Sequence, residues 1–530
     1  MAAKWWTLVA VCTGVFMLLL DITIVNVALP DIQSQLDASL SDLQWVIDAY
    51  ALSLASLLLT AGSLADLFGR KRVFAIGTVL FTLGSLLCGS APNILFLTLS
   101  RAAQGIGGAA MFATALALLA SAFRGKDRGV AFGAFGATTG VAVAIGPVLG
   151  GVLTSGLSWR WIFFVNLPIC LVALAVAILK VEESHDPRAG SPDWIGFITF
   201  SGGLGLLVLG LIRAGTDGWG AGVVRWCLIG SAVLLVTFVV TQRVQRHPML
   251  DLSLLRKPTF VGGLVAAFGV SASIFSLLAY LVIYVQNVLG YSAIETGVRF
   301  LFLSGASFFA ATLAGRLTSH VPTKWLIGPG FLVLGFGLVL MLGIDAGSSW
   351  THLIPGLLVA GVGIGLINVP LASTAVGVVA PDRSGMASGV NSTFRQVGIA
   401  TGIAALGSLF SHQIATGLAD RLQNAPAGTD PARIADAVTG GQLKKLLANP
   451  DLTDAARRSI SQAATSSYVE ALNHITLIAA VIAFTAGVLC LVLIRQKDFV
   501  AQGEAPGAPA PGGAPEDRHG GELAAGAHTG

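Results

Sequence analysis

The sequence predicts an all-α polytopic membrane protein, and three observations carry that prediction. Of 530 residues, 54% are hydrophobic and only 11% are charged, against about 25% charged in a soluble domain. The apolar runs are about 20 residues long, as a spanning helix requires, and lack the roughly ten-residue alternation of barrel strands. The basic residues alternate between connections. Arg70-Lys71-Arg72, Arg124-Lys126-Arg128, Lys180 with Arg188, Arg243 with Arg246, Arg256-Lys257, Lys324 and Arg383 fall on one side. The intervening connections are poor in Lys and Arg, with Arg160, Arg213 and Arg225 as mild exceptions near their ends. The positive-inside rule then puts the basic set and both termini in the cytoplasm.

Fourteen spans are expected: 6–29, 44–65, 73–91, 94–122, 130–154, 160–181, 194–213, 222–241, 260–288, 295–317, 324–344, 352–378, 386–411 and 471–494. The first carries Asp21 and is too long for the core of a signal peptide, so it is read as a retained helix. The second runs from a polar connection down to Gly69. A short Ala-Pro-Asn link separates the third from the fourth, which carries Arg101 two turns in and is rich in small residues. The fifth has a glycine stripe and Gly146-Pro147, and the sixth follows Trp159. The seventh and eighth flank a polar glycine-rich turn. The ninth to twelfth carry no acid at mid-depth; Glu295 and Asp345 lie at their ends. Between the last two spans, 412–467 reads as a polar outer loop with two short amphipathic helices, around 430–438 and 452–460. Residues 501–530 read as a disordered Gly/Ala/Pro tail.

A long internal repeat organises the spans. Residues 62–71 align with 315–324, Gln104–Gly108 with Ala360–Ile364, and Lys126–Gly129 with Pro381–Ser384. Two six-helix halves, 1–190 and 251–500, with two linking helices in 191–250, account for fourteen. Such repeats are how many secondary transporters build alternating access around a midplane site.

Several motifs then stand in order. Helix 1 carries Leu20-Asp21-Ile-Thr-Ile-Val-Asn26-Val-Ala-Leu-Pro30, and helix 2 ends in Gly62-x-Leu-Ala-Asp66-x-x-Gly69-Arg70-Lys71. Helix 4 carries Arg101-Ala-Ala-Gln104-Gly105-x-Gly107, and helix 5 carries Gly146-Pro147-Val-Leu-Gly150-Gly151. Trp159-Arg160-Trp161-Ile-Phe-Phe-Val-Asn166-Leu-Pro168 follows. Over about 500 residues the chain resembles the major facilitator superfamily, specifically its fourteen-helix drug:proton antiporter branch of the EmrB/QacA type. That resemblance implies the major facilitator fold and an antiport role for the helix 5 motif. It also implies a latch by Asp66, Gly69 and Arg70 that holds the cytoplasmic side shut when the cavity faces outward. The first glycine of the helix 5 motif is Ala142 here, and Leu67 stands where the family often has Arg.

Physical chemistry singles out the charges. A carboxylate near the centre of a spanning helix costs about 2.5–3.5 kcal/mol on insertion scales. At 1.5 Å per residue, Asp21 lies about 22 Å up a core of about 30 Å, and Asp48 and Arg101 lie about 6 and 10 Å below the opposite, outer face. Asp21, Asp48 and Arg101 are therefore expected to form one cluster able to exchange a proton, since a nearby Arg lowers a carboxyl pKa and burial raises it. A static Asp21–Arg101 pair is the alternative, and Asp48 reads equally well as an interfacial residue. Asp66 is placed to cap a neighbouring helix or to pair with Arg. For a substrate cavity the candidates are Asn26, Gln104, Phe112, Tyr280, Tyr284, Asn287, Asn391 and Arg395. The stripes that hold the last five either glue helices together or line a cavity. Aromatic rings with a few polar groups suit bulky amphipathic, neutral or singly charged ligands.

Other functions find no motif. The five cysteines sit in predicted spans without metal spacing, and no nucleophile–base pair or phosphate loop appears. No metal, cofactor, enzymatic activity or nucleic-acid partner is expected. The expected partners are a small lipophilic substrate, protons and membrane lipids, for a monomer in a bacterial inner membrane. Nutrient import and non-transporting sensing are the alternatives on the same scaffold.

Overall fold

The computed structural model describes residues 3–185, 191–245, 248–318, 320–422, 430–439, 443–447 and 452–499. The tail expected at 501–530 lies outside them. Among the described residues the regular structure is entirely helical. Helices α1 (Ala3–Gln35), α2 (Leu40–Phe68), α3 (Arg70–Gly89), α4 (Ile94–Ala122) and α5 (Gly125–Gly156) come first. Next are α6 (Trp161–Lys180), α7 (Trp194–Asp217), α8 (Gly222–Val244), α9 (Pro258–Val288), α10 (Ala293–Leu317), α11 (Lys324–Val339) and α12 (Trp350–Gly377). The last four are α13 (Ser384–Arg421), α14 (Pro431–Thr439), α15 (Leu443–Leu447) and α16 (Asp454–Leu493). Twelve described helices are long and apolar enough to cross a membrane. Helices α5 and α11 stand where the sequence places the other two spans; α11, at 16 residues, is a short apolar helix.

Side-chain acceptors set where several helices begin. Ser39 and Asp42 form a reciprocal capping box at α2, and Ser292 with Glu295 repeats it at α10. Asn93 caps α4 and Asp193 caps α7. Each satisfies backbone N–H groups that a helix start leaves without partners.

The outer loop is smaller than the sequence reading drew it. Helix α14 matches the first expected amphipathic piece, and buries Ile434, Ala435 and Val438. The second piece, around 452–460, is not a separate helix: it is the start of α16, capped by Thr453. No Pro interrupts Asp454–Leu493 and its one glycine, Gly487, lies near the far end, so one helix continues into the span. At 1.5 Å per residue, the 38 residues of α13 and 40 of α16 run to about 57 and 60 Å, well beyond a core of about 30 Å.

Apolar packing separates two bodies of helices. One set of clusters draws on α1–α6, with a few residues of α10 and α12, and the largest draws on α9–α16. Glycines carry several of the contacts between them. Gly62 of α2 lies against Gly385 and Gly389 of α13, and Gly129 and Gly133 of α5 lie against Gly315 of α10. A methyl group at Gly62 or Gly129 would overlap a facing backbone carbonyl. Small residues here let backbones touch where hydrophobicity alone cannot hold helices together in lipid. Helix α7 lies across the α2–α13 seam: Ser201 bonds Thr60 at 2.8 Å, and Val208 packs in one cluster with Ala55 and Val397.

Candidate functional site: a buried charge cluster, a basic-end latch and a central cavity

Asp21 of α1 is completely buried and Arg101 of α4 is 2% exposed. Arg101 Nη1 donates to Asp21 Oδ2 at 2.5 Å. Asp21 Oδ1 accepts from Gln104 Nε2 and from Asn166 Nδ2, both at 2.9 Å. The same two amides donate to Ser85 Oγ on α3, at 2.8 and 3.1 Å. Arg101 also donates to Gln104 Oε1 at 2.7 Å and to the Val46 carbonyl at 3.3 Å. Its guanidinium lies 4.2 Å over the ring of Tyr50. Five helices thus converge on one carboxylate. A charge pair out of water is tolerable only when further hydrogen bonds support it, and here both carboxylate oxygens and two guanidinium nitrogens are bonded.

Glycines make that convergence possible. A Cβ on Gly84 of α3 would sit 2.7 Å from Cα and Cβ of Gln104, and one on Gly107 would strike the backbone of Phe81. Side chains there would hold α3 and α4 apart and pull Gln104 from the carboxylate.

The structure brings Asp21 and Arg101 together and leaves Asp48 out. Asp48 is half-buried, and the charge that acts on it is Arg213 of α7, whose guanidinium stacks 5.0 Å from Trp45. The reason is helical phase. Tyr50 faces Arg101, and two residues are about 200° around a helix, so Asp48 points away from the cluster. Gln104 also moves from its expected place: it is a member of the charge cluster and not of the cavity wall.

At the basic end, Asp66 closes α2 and does two things at once. Its Oδ1 accepts from Arg70 Nε and Nη2 at 3.0 and 2.7 Å. Its two oxygens also accept from the backbone N–H groups of Gly385 and Met386, at 2.9 and 2.7 Å. A carboxylate thereby caps the first turn of α13, where the helix dipole favours negative charge. Arg70 reaches across to the Asp382 carbonyl at 2.7 Å. Gly69 adopts φ +107°, a region that side chains avoid, and a Cβ there would strike the Glu183 carboxylate. Glu183 itself accepts from the N–H groups of Lys71 and Arg72, at 3.0 and 3.1 Å, and so caps α3.

Helix α5 threads between α1 and α10. Gly146 presses on Thr23 and Gly150 on Ile24, while Gly151 faces Ile294 of α10. The side chain of Pro147 lies outside the described residues, as does that of Asn26.

Phe112 of α4, Asn391 and Arg395 of α13 meet in a central cavity of about 20 Å³, which Asn368 of α12 and Thr139 of α5 also line. That is room for a water, which needs about 10–15 Å³. Arg395 Nη1 donates to Asn368 Oδ1 at 3.1 Å. Tyr280 and Tyr284 do not reach this space. Tyr280 packs on Phe410 and donates to the Ile403 carbonyl at 3.4 Å; Tyr284 stacks on Tyr468, whose hydroxyl donates to the Tyr280 carbonyl at 2.9 Å. Ser276 bonds the Ile399 carbonyl at 3.3 Å. The stripe on α9 is therefore glue against α13 and α16. Two π turns, Ser271–Phe275 and Tyr284–Val288, rotate it away from the register an ideal helix would keep. Asn287 sits in the second π turn and is not among the cavity-lining residues.

Reasoning from sequence missed Ser85, Asn166, Glu183 and Asn368 as partners. Asn166 and Asn368 carried a signal, each being an amide inside a span; Ser85 carried none that separates it from any packing serine.

The family model described as Major Facilitator Superfamily matches residues 11–403. The multidrug resistance protein Stp of Mycobacterium tuberculosis is 37% identical over 79% of this chain and 78% of its own. The puromycin resistance protein pur8 of Streptomyces alboniger is 36% identical over 83% of this chain and 87% of its own. The probable actinorhodin transporter of Streptomyces coelicolor is 34% identical over 77% and 73%. Among solved structures, the human organic anion transporter MFSD10 (TETRAN) superposes with a TM-score of 0.58 at 14% identity, over 91% of this chain and 99% of that one, a likeness of fold. With its all-helical membrane architecture, this chain belongs to the major facilitator superfamily, among transporters of the multidrug and antibiotic resistance kind.

Proposed function

We propose that the protein is a proton-coupled antiporter that exports lipophilic compounds across a bacterial inner membrane by alternating access. It works as a fourteen-span monomer with both termini in the cytoplasm. Residues 1–190 and 251–500 form two six-helix halves, and 191–250 links them. The observation that carries the reading is the sealed carboxylate: Asp21, at zero exposure, with Arg101, Gln104 and Asn166 upon it. A membrane protein that maintains a buried, fully bonded acid has a device whose charge state and packing are coupled. Protonating Asp21 removes half of the ion pair and weakens three bonds, which loosens the joint between α1, α4 and α6. The Asp66 cap and the Arg70 bridge support closure at the cytoplasmic end, and Gly146, Gly150 and Gly151 seat α5 between the moving bodies.

Relatives named for multidrug resistance, puromycin resistance and actinorhodin transport support export over nutrient uptake. The test is purified protein in liposomes under an imposed pH gradient, with a panel of lipophilic compounds. Transport follows the gradient and is accompanied by counter-movement of protons. Asp21→Asn inserts normally and loses gradient-driven transport by at least a hundredfold. Wild-type transport indifferent to the gradient, or an Asp21→Asn protein that pumps normally, rules the reading out.

A further inference from the structure

Arg395 poses a problem that Arg101 does not. It lines the central cavity, and among the described residues no carboxylate pairs with it. Its hydrogen-bond partner is a neutral amide, Asn368, and its guanidinium lies 5.8 Å from the ring of Phe275. Arg395 is partly buried; a cation drawn even partly out of water without a counter-charge is costly, and proteins pair such groups or open them to a ligand. A second observation points the same way. Asn391, one helical turn before Arg395, is 3% exposed and lines the same cavity, and its Nδ2 has no hydrogen-bond acceptor. Buried amide donors are almost always satisfied, so an unsatisfied one calls for an explanation. Both groups are donors, and both lack a negative acceptor. The opposite wall is apolar and aromatic, with Phe112, Leu116 and Phe135.

We propose that Arg395 and Asn391 form an anion-recognising end of the cavity, and that the cargo is an amphipathic aromatic acid, a carboxylate or phenolate on a flat apolar body. This deepens the export reading above and rests on it for the identity of the cavity. The acid group takes the guanidinium and the free Asn391 N–H, while the rings lie against the phenylalanines. Asn368 is a positioning residue that orients the guanidinium when no cargo is bound. Charge-assisted bonds of this kind are the strong ones, and Arg suits a planar acid better than Lys does.

The test is equilibrium dialysis of the full chain in an uncharged detergent, against anthraquinone-2-carboxylate and its neutral carboxamide. Wild-type protein binds the acid at least tenfold more tightly than the amide. Arg395→Gln loses that preference while binding the amide within twofold of wild type, which shows that the cavity remains folded; Arg395→Lys keeps part of it. A wild-type protein that binds both alike, or neither, overturns the proposal, and so does an Arg395→Gln protein that still prefers the acid. Competition by phosphatidylglycerol as strong as by the acid assigns the site to a lipid headgroup and overturns the cargo. The assay uses no gradient, so failure of proton coupling in liposomes leaves it untouched, and loss of acid preference leaves the coupling test untouched.

Discussion

Two arginines within spanning helices of this protein have opposite surroundings. Arg101 of α4 has an ion pair, an amide and a carbonyl on its donors and an aromatic ring against its face. Arg395 of α13 has one amide bond and faces a cavity. In the first, the positive charge is matched by a carboxylate of the same chain. The second leaves its positive charge for something from outside. The difference teaches that depth in the membrane does not by itself assign a role to a charged residue; the saturation of its partners does.

The sharpest way to break this comparison is to remove both guanidinium groups in turn. Arg101→Met leaves Asp21 buried without a counter-charge, and deleting one partner of a buried pair costs about 3–5 kcal/mol. Arg395→Met removes a charge that nothing in the chain compensates, and it is neutral or stabilising. The thermal unfolding midpoint in detergent reads both. Equal destabilisation by the two substitutions would show that Arg395 is internally paired after all. A next-largest effect is expected at the basic end. Asp66→Ala deletes four hydrogen bonds, including the cap on α13. Bonds to charged groups are worth about 1.5–3 kcal/mol each when unshared, so we expect about 2–3 kcal/mol in total, since Arg70 keeps the Asp382 carbonyl. The readout is maleimide labelling of a cysteine placed at Ser388, slow in the parent and fast in Asp66→Ala. An unchanged labelling rate would mean that the glycine contacts alone hold this end shut.

Packing gives a smaller contrast. Gly84→Ala drives a methyl group into Gln104 and is expected to cost about 1–3 kcal/mol as an overpacking change. Gly140→Ala meets nothing nearer than the Ser304 carbonyl at 3.9 Å, and there alanine gains helix propensity of about 0.5–1 kcal/mol. Opposite signs in the two melting shifts support a rigid charge cluster beside a looser seam; the same sign in both would remove that distinction.

How much of this was legible in the sequence follows the same division. The helical class, most span positions, the Asp21–Arg101 pairing and a capping or pairing role for Asp66 all followed from local features: run length, an acid and a base at matching depth, and a carboxylate at a helix end. What failed depended on the rotation of a helix about its axis. Asp48 and Tyr50 are two residues apart, and depth alone gave no reason to choose between them. Tyr280 and Tyr284 sit where π turns alter the phase, and the spacing of polar residues along a helix does not register a five-residue turn. Gln104 fits both a cavity wall and a charge cluster, and only the position of α3, fixed by Gly84 and Gly107, decides between them.

The smallest expected effect lies outside the membrane, at Asp251 before α9, where Arg383 pairs with it at 2.9 Å. Both side chains are more than a third open to water. Burial alone would raise the Asp251 carboxyl, but the bonds from Ser253 and the charge of Arg383 outweigh it and hold its pKa below the usual carboxylate value. The sign follows from linkage. A group whose folded pKa is depressed stabilises the fold above its unfolded pKa of about 3.9, and that contribution disappears as pH falls through the folded value. Exposed pairs contribute about 0–1 kcal/mol, so Asp251→Asn costs less than about 1 kcal/mol at pH 7. The difference from wild type shrinks towards zero below about pH 4 and narrows in high salt, which screens exposed charges. If instead Asp251→Asn cost as much as Asp66→Ala, and kept that cost in acid and in salt, then the aspartate's role would be its fit at the start of α9. The gradation proposed here, from saturated buried charge to screened surface charge, would then fail at its weak end.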